Sequence, residues 1–196
     1  MQETGFTGIG LFADQRVGEQ TLEFLATHHP EDLRFLVATG RDSPVYQAAT
    51  KRGFPKDRIF VEDDLYHPAT IDRLRRYGVS YFILAWWPSI LKEPLLSLPK
   101  IGVVNFHPSL LPSNRGKHYN FWTIVEDTPF GVTLHFAEES VDGGDIIFQK
   151  PIAKSWEDTG KTLYEKAQKA IVELFRETYP DIVRGNYMRR KQDTTR

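Results

Sequence analysis

The sequence lacks cysteine and lacks an excess of charge of either sign. The absence of cysteine excludes disulfide bonds, thiolate metal ligands and a cysteine nucleophile. The 25 basic residues nearly balance the 26 acidic ones and leave a formal charge of -1. A chain with so little net charge has no strong field to attract nucleic acid or an anionic membrane, so we expect a small-molecule partner.

Long apolar runs are missing as well. No segment is long enough to cross a bilayer, and the first ten residues, MQETGFTGIG, lack the basic start and apolar core of a signal peptide. We therefore expect a cytoplasmic protein with neither a membrane nor a nucleic-acid partner. The composition, 40% hydrophobic and 26% charged, is that of an ordinary folded protein.

The sequence also lacks the glycine patterns that bind nucleotide phosphates. Gly5, Gly8 and Gly10 are spaced as GxxGxG and precede or enter the first predicted strand, whereas a dinucleotide fingerprint follows its strand. The turn after that strand, ADQRVG, contains only Gly18. Together with the absence of GxSxG, HExxH and calcium-loop motifs, this disfavours nicotinamide and phosphate-loop enzymes and predicts no bound metal.

What the sequence does contain is a regular alternation of strands and helices. Short apolar runs predict buried parallel strands at Ile9–Phe12, Leu33–Ala38, Ile59–Val61, Tyr81–Ala85 and Gly102–Asn105. Helical spacing lies between the runs, and one helix is expected to end at Gly78. The pattern predicts an α/β fold with a Rossmann-like, doubly wound, mostly parallel sheet whose ligands lie at the carboxyl ends of the strands.

The C-terminal part of the chain has a different pattern. Apolar and polar residues alternate from Val132 to Phe136, and a second strand-like run, Ile146–Phe148, predicts an appended C-terminal hairpin. A long helix is expected from near Thr159 to just before Pro180. Residues 1–187 should form a single domain, and the polar tail, 188–196, is expected to be frayed.

The stretch VNFHPSLLP ends a buried strand with Asn105 and His107 two positions apart. At that spacing both side chains leave the same face of the strand and could bind one oxygen atom. Spacing alone leaves a second interpretation open, in which Asn105 bonds a neighbouring loop and His107 caps the chain reversal at Pro108.

Other candidate groups lie in loops after predicted strands. Asp142 lies in the run VDGGD, where two glycines allow a close approach to a ligand, although such a run is also an ordinary turn. Trp86 could line a flat aromatic ligand or pack in the core. Tyr119 could contact substrate or anchor its loop, and we expect His135 to serve packing.

Two linked motifs, VNFHPSLLPSNRG and FGVTLHFAEESVDGGDIIFQK, resemble the folate-dependent formyltransferase family. The resemblance is strongest from Gly102 to Lys150 and weaker through ILAWWPSIL and EDTGKTLYEK. It implies that Asn105, His107 and Asp142 are catalytic. It also implies 10-formyltetrahydrofolate as formyl donor and an amine as acceptor.

The same resemblance suggests binding residues. Expected folate contacts are Trp86, Ile90, Leu91, Glu138 and Val141. Ser89 departs from the family pattern, because family members often have arginine or another polar residue at this position. Hypothetical acceptor contacts are Arg115, Lys117, His118, Tyr119 and Asn120. The Leu111–Pro112 bond is a candidate cis peptide.

The acceptor is inferred by exclusion within this family. The missing glycine nest disfavours glycinamide ribonucleotide, and the short chain after the last helix disfavours initiator tRNA. The absence of an N-terminal regulatory domain disfavours a formyltetrahydrofolate hydrolase. We expect a stand-alone sugar N-formyltransferase acting on a nucleotide-linked amino-deoxysugar for surface glycan synthesis. Glycinamide ribonucleotide, a carrier-bound aminoacyl group, hydrolysis and a non-catalytic folate- or nucleotide-binding module remain alternatives, and a homodimer is possible.

Overall fold

The computed structural model describes residues 5–193, which contain seven strands and five α-helices and have the expected α/β fold. The strands are β1 (Ile9–Ala13), β2 (Leu33–Ala38), β3 (Ile59–Val61), β4 (Tyr81–Ala85), β5 (Gly102–His107), β6 (Gly131–Phe136) and β7 (Ile146–Pro151). The helices are α1 (Gln15–His28), α2 (Pro44–Lys51), α3 (Pro68–Tyr77), α4 (Tyr119–Val125) and α5 (Gly160–Arg184). The chain groups into two compact units, Met1–Val104 and Asn105–Arg196.

The first unit contains four of the five predicted parallel strands, β1 to β4. β1 pairs with β2 on one side and with β4 on the other, and β2 pairs with β3, all in parallel. The strand order therefore reverses between β1 and β4, which is the switch point of a doubly wound sheet. The left-handed Gly78, with φ 55°, ends α3 as predicted.

An aromatic cluster fills the core of the first unit. The Phe12 and Phe82 ring centroids lie 5.0 Å apart, and those of Phe35 and Phe82 lie 5.6 Å apart. Gly10 lies beneath Phe35, where a Cβ atom would overlap the ring. Strands buried on both faces explain why the sequence shows continuous apolar runs here instead of alternation.

The second unit contains the predicted hairpin. β6 and β7 pair antiparallel, and α5 packs against both strands. The buried residues of α5 include Leu163, Ala167, Ile171 and Phe175, which form the expected apolar stripe. Thr159 caps the helix and forms a reciprocal pair of hydrogen bonds with Thr162, so the predicted start is confirmed.

The predicted end of α5 before Pro180 is wrong, because the helix continues through this proline to Arg184. Tyr179 and Ile182 lie on either side of the proline and are buried. Gly185, with φ 66°, caps the last turn through hydrogen bonds from its N–H to preceding carbonyl groups. Burial and capping of this turn thus compensate for the stability lost because Pro180 cannot donate a main-chain hydrogen bond.

Residues 188–193 are not frayed, contrary to our expectation for the tail. Arg190 and Ile146 exchange two main-chain hydrogen bonds, of 2.8 and 2.9 Å, as neighbours in an antiparallel bridge. The end of the expected tail, 194–196, lies outside the described residues. No helix within residues 5–193 combines the length and the apolar character that crossing a membrane requires.

Candidate active site

Asn105 and His107 lie at the C-terminal end of β5, on the same face of the strand, as their spacing predicted. Asn105 is half-buried, and His107 is buried with 4% of its surface exposed. The chain then reverses through a short loop in which the Leu111–Pro112 bond is cis, as the resemblance suggested. Both polar side chains are therefore held by a buried strand, and neither depends on a mobile surface segment.

Asp142 reaches the same place from the loop between β6 and β7. Its backbone has φ 49°, a conformation that is uncommon for a residue with a side chain. Gly144 follows closely against β6, where a Cβ atom would overlap the carbonyl oxygen of Phe136. Glycine is needed at position 144 for this approach, which explains the second glycine of the DGG run physically.

The structure brings the three side chains together. Asn105 Nδ2 donates a hydrogen bond of 3.2 Å to Asp142 Oδ1, and His107 Nδ1 lies 3.3 Å from Asp142 Oδ2. The main-chain N–H of Gly116 donates to the same Oδ2 atom at 2.9 Å. Asp142 is thus the shared partner of the amide and the imidazole.

The orientation of the His107 ring is fixed from its other side. Its Nε2–H donates to the carbonyl oxygen of Asn114 at 3.0 Å. Asn114 has φ 57°, and its side-chain amide donates to Thr123 Oγ1 at 2.8 Å and to Thr128 Oγ1 at 2.7 Å. The loop carbonyl that holds His107 is therefore itself anchored twice.

His135 also belongs to this cluster, although we assigned it to packing. It is buried with 1% of its surface exposed, and its Nε2 atom lies 3.1 Å from Asn105 Nδ2. His135 Nδ1–H donates to the carbonyl oxygen of Phe136 at 2.8 Å. Its Nε2 atom faces Asn105 Nδ2 and also Asp142 Oδ1, which lies 3.5 Å away. Its position near the end of a strand, like that of His107, was the signal that could have identified it.

Burial and neighbouring groups perturb the pKa values of Asp142 and His107 in this cluster. Burial by itself would raise the pKa of Asp142, but its contacts with His135, His107 and Gly116 outweigh burial and lower the pKa to about 2. Burial lowers the pKa of His107, while Asp142 and the carbonyl group of Asn114 act in the opposite direction. Asp142 therefore stays ionised near neutral pH and favours a proton on the adjacent ring.

Tyr119, one of the predicted acceptor contacts, lies beside the cluster. Its ring centroid is 6.4 Å from that of His107, and 9% of its surface is exposed. Within residues 5–193 the buried Tyr119 hydroxyl has no hydrogen-bond partner. Burial raises the pKa of the phenol, so the hydroxyl is an intact donor near neutral pH.

Of the other predicted acceptor contacts, two form hydrogen bonds within the protein and two are exposed. Arg115 donates to Gln192 Oε1 at 3.3 Å and, through its second nitrogen, to the carbonyl oxygen of Asp193 at 3.1 Å. Asn120 donates to the carbonyl oxygen of Gly160 at 2.8 Å, while Lys117 and His118 are exposed. Their role in binding an acceptor remains a prediction.

The predicted folate contacts lie in two loops, one in each unit. In the loop after β4, Trp86 has φ 61°, Leu91 is buried, and Ile90 is 60% exposed. In the loop after β6, Val141 is 51% exposed and Glu138 Oε1 accepts from Ser140 Oγ at 2.6 Å. Folate binding by these residues remains a prediction.

The fold and the buried amide, imidazole and carboxylate cluster are typical of an α/β enzyme. The family model described as formyl transferase matches residues 23–178, which is more than half of the chain. The chain therefore belongs to the formyl transferase family. Its enzyme class is that of the N-formyltransferases, and the family uses formyl-tetrahydrofolate as the formyl donor.

Solved structures of formyltransferases share the fold. Glycinamide ribonucleotide transformylase 1 from Symbiobacterium toebii has a TM-score of 0.80 and 21% identity, with 96% of this chain and 95% of that chain covered. A sugar N-formyltransferase from Shewanella sp. has a TM-score of 0.75 and 18% identity, covering 96% and 74% respectively. The sugar 3N-formyl transferase WlaRD, solved with dTDP and 5-N-formyl-THF, has a TM-score of 0.74 and 19% identity, covering 96% and 67%.

Proposed function

We propose that this enzyme transfers the formyl group of 10-formyltetrahydrofolate to the amine of a nucleotide-linked amino-deoxysugar, with Asn105, His107 and Asp142 as catalytic residues. The observation that carries the proposal is the convergence of an amide and an imidazole on one buried carboxylate, at distances of 3.2 and 3.3 Å. Such a cluster combines hydrogen-bond donors with a group that can move a proton.

The donors suit the charge that develops during transfer. When the amine attacks the formyl carbon, the carbonyl oxygen gains negative charge. An N–H of Asn105 can turn from its long bond with Asp142 to this oxygen, and a protonated His107 can donate through Nδ1–H. Removing one such donor from an oxyanion site typically lowers kcat by about 10²–10³.

Asp142 has two roles in this scheme. Its carboxylate stabilises the charged form of His107, and it can accept the proton that the attacking amine loses, directly or through water. The bond between the formyl carbon and the folate nitrogen then breaks, and this nitrogen takes up a proton. The net reaction moves one formyl group to the amine and one proton to tetrahydrofolate.

The N-terminus of α1, whose turn lacks the glycines of a phosphate site, is not suited to bind a phosphate group. Helix N-termini bind phosphate when their N–H groups are free and glycine lets the ligand approach. Here Asp14 is the N-cap residue, and its Oδ1 atom accepts from Thr39 Oγ1 at 3.0 Å. A carboxylate in this place repels a phosphate group.

One observation favours glycinamide ribonucleotide as a second candidate. The alignment covers 95% of the chain of the Symbiobacterium toebii glycinamide ribonucleotide transformylase but 74% of that of the Shewanella sugar enzyme. The chain thus resembles the former more closely in the extent of the common fold. Both acceptors must be tested.

A mass-spectrometric assay distinguishes these possibilities. The protein is incubated with 10-formyltetrahydrofolate and, separately, with a panel of nucleotide-linked amino sugars and with glycinamide ribonucleotide. We expect one formyl group to be added to an amino sugar, and no addition by His107→Ala. Formylation of glycinamide ribonucleotide alone would overturn the sugar assignment. Formate release without an amine would indicate hydrolysis, and folate binding without turnover would indicate a binding module.

A further inference from the structure

A single side chain from the C-terminal segment holds the main chain of the Asp142 loop. Gln192 Nε2 donates to the carbonyl oxygen of Asp142 and to that of Gly144, both at 2.7 Å. Gln192 is half-buried, and both hydrogens of its amide nitrogen are used by these two bonds. The carboxamide thus clamps the residue that binds His107 and the second of the two glycines that follow it.

The other end of the same amide connects to Arg115. Gln192 Oε1 accepts from Arg115 Nε at 3.3 Å, and the Arg115 guanidinium also donates to the carbonyl oxygen of Asp193. Gly116, next to Arg115, donates its main-chain N–H to Asp142 Oδ2. Gln192 and Gly116 therefore hold Asp142 through its main chain and through its carboxylate.

The segment that carries Gln192 is itself fixed in place. Arg190 pairs with Ile146 through two main-chain hydrogen bonds. Arg189 Nε lies 3.0 Å from Asp145 Oδ2, and its guanidinium lies 4.0 Å from the centre of the Phe136 ring. These contacts bring the segment alongside the start of β7 and leave Gln192 opposite the loop.

The Asp142 loop has physical reasons to need such support. Asp142 has an uncommon positive φ of 49°. It is followed by Gly143 and Gly144, and glycine is the residue type with the largest conformational freedom. The preceding residues, Glu138 to Val141, are exposed and contribute no buried core. A loop of this kind keeps one conformation only when surrounding contacts impose it.

We propose that Gln192 is a positioning residue for formyl transfer, holding the main chain at Asp142 and Gly144 so that the Asp142 carboxylate stays against His107. The inference rests on the proposed catalytic role of Asp142. Gln192 acts through Asp142 and does not contact the reacting atoms. Because misplacement of a reacting group by about 1 Å can cost about 10²-fold in rate, loss of the clamp should be visible in kcat.

Two substitutions separate the clamp from the link to Arg115. Gln192→Ala removes both, whereas Gln192→Glu keeps an acceptor for Arg115 but turns a carboxylate oxygen toward two carbonyl groups. Lys191→Ala is the matched control, because the Lys191 side chain is exposed on the same segment. We expect kcat to fall about 10- to 100-fold in Gln192→Ala and at least as far in Gln192→Glu, with Lys191→Ala unchanged.

The second readout does not depend on turnover. Nitrogen NMR of labelled histidine reports the pKa of His107, which Asp142 raises. We expect this pKa to decrease in Gln192→Ala, which adds no charge, and to stay constant in Lys191→Ala, at unchanged thermal unfolding temperature. Should Gln192→Ala not fold, Gln192→Asn, whose shorter amide cannot span both carbonyls, takes its place.

The two readouts have distinct outcomes. Lower kcat together with a lower His107 pKa supports the proposal. An unchanged His107 pKa overturns it, whatever the rate, and so does an unchanged kcat. If Gln192→Glu retains wild-type kcat, the link to Arg115 matters and the clamp does not. If the native enzyme formylates no tested acceptor, the proposed acceptor is wrong, while the histidine titration still tests the clamp.

Discussion

His107 Nδ1 and Asp142 Oδ2 lie 3.3 Å apart, and the second nitrogen of the same ring donates to the carbonyl oxygen of Asn114 at 3.0 Å. Both ring nitrogens therefore face oxygen acceptors, an arrangement that only the doubly protonated imidazole satisfies completely. Burial opposes that charge and lowers the pKa of His107. This opposition suits a group that must hold a proton during one step and release it in another.

Replacing Asp142 with asparagine tests this relationship. Asp142→Asn keeps the size of the side chain but removes the charge that favours a proton on His107. We expect kcat to fall by about 10² or more, because general acid–base groups contribute about 10²–10⁴ in rate. We also expect the pKa of His107 to decrease further, as measured by histidine NMR titration.

Glu139→Gln is the control for this substitution. Glu139 is a carboxylate in the same loop, and its side chain is exposed. It should therefore change neither kcat nor the pKa of His107 appreciably. Wild-type turnover by Asp142→Asn would remove Asp142 from the proposed chemistry.

Acid should destabilise the fold in two pH ranges. His107 has a lowered pKa in the folded protein, so its contribution is complete above the ordinary value of 6.5 and is lost as pH falls below it. Asp142 has a pKa lowered from 3.8 to about 2, so its contribution is lost as pH falls through that interval. The second contribution amounts to about 2 kcal/mol at neutral pH.

Urea unfolding of wild type and His107→Gln at several pH values measures the first of these losses. Above pH 6.5 the difference in free energy of unfolding between the two proteins should be constant. Below that pH the wild type should lose stability more steeply than the variant, by at most about 1.4 kcal/mol per pH unit. Parallel pH profiles would contradict the lowered pKa of His107.

Much of the fold could be predicted because its signals are local. The strands Leu33–Ala38, Ile59–Val61 and Tyr81–Ala85 have the predicted bounds. Tyr81–Ala85 is buried at every position, and a strand buried on both faces must be apolar throughout. The convergence of Asn105 and His107 with Asp142 was an expectation drawn from motifs and resemblance. Their catalytic roles still depend on the kinetic tests.

The features that sequence reasoning missed depend on distant contacts. His135 was expected to serve packing, and it is buried, but its partners Asn105 and Asp142 come from other segments of the chain, which no local pattern shows. The continuation of α5 past Pro180 requires the burial of Tyr179 and Ile182, which no local pattern shows. Gln192 contacts Asp142, which lies 50 positions earlier in the sequence. The polar sequence around Gln192 is typical of an ordinary chain end.

Truncation of Asn105 tests the proposed stabilisation of charge on the formyl oxygen. Asn105→Ala removes the Nδ2 donor that now lies 3.2 Å from Asp142 Oδ1. We expect kcat to decrease by about 10²–10³ with the KM for the folate donor little changed. Asn186→Ala, a change at an exposed asparagine that pairs with Asp181, is the control. Equal kcat values for the two variants would refute the role.

Removal of the Tyr119 hydroxyl should separate stability from acceptor binding. Within the described residues this buried hydroxyl has no hydrogen-bond partner, so Tyr119→Phe should unfold at the same or a higher urea concentration than wild type. Tyr66→Phe provides the contrast, because the exposed Tyr66 hydroxyl accepts from the main-chain N–H of Lys92 at 2.9 Å, and loss of this hydrogen bond should lower the unfolding midpoint.

If Tyr119 donates to the acceptor, Tyr119→Phe should raise the KM for the acceptor about fivefold at unchanged kcat. This change is equivalent to one net hydrogen bond of about 1 kcal/mol. An unchanged KM for the acceptor would exclude the Tyr119 hydroxyl from acceptor binding and leave the ring with a packing role beside His107.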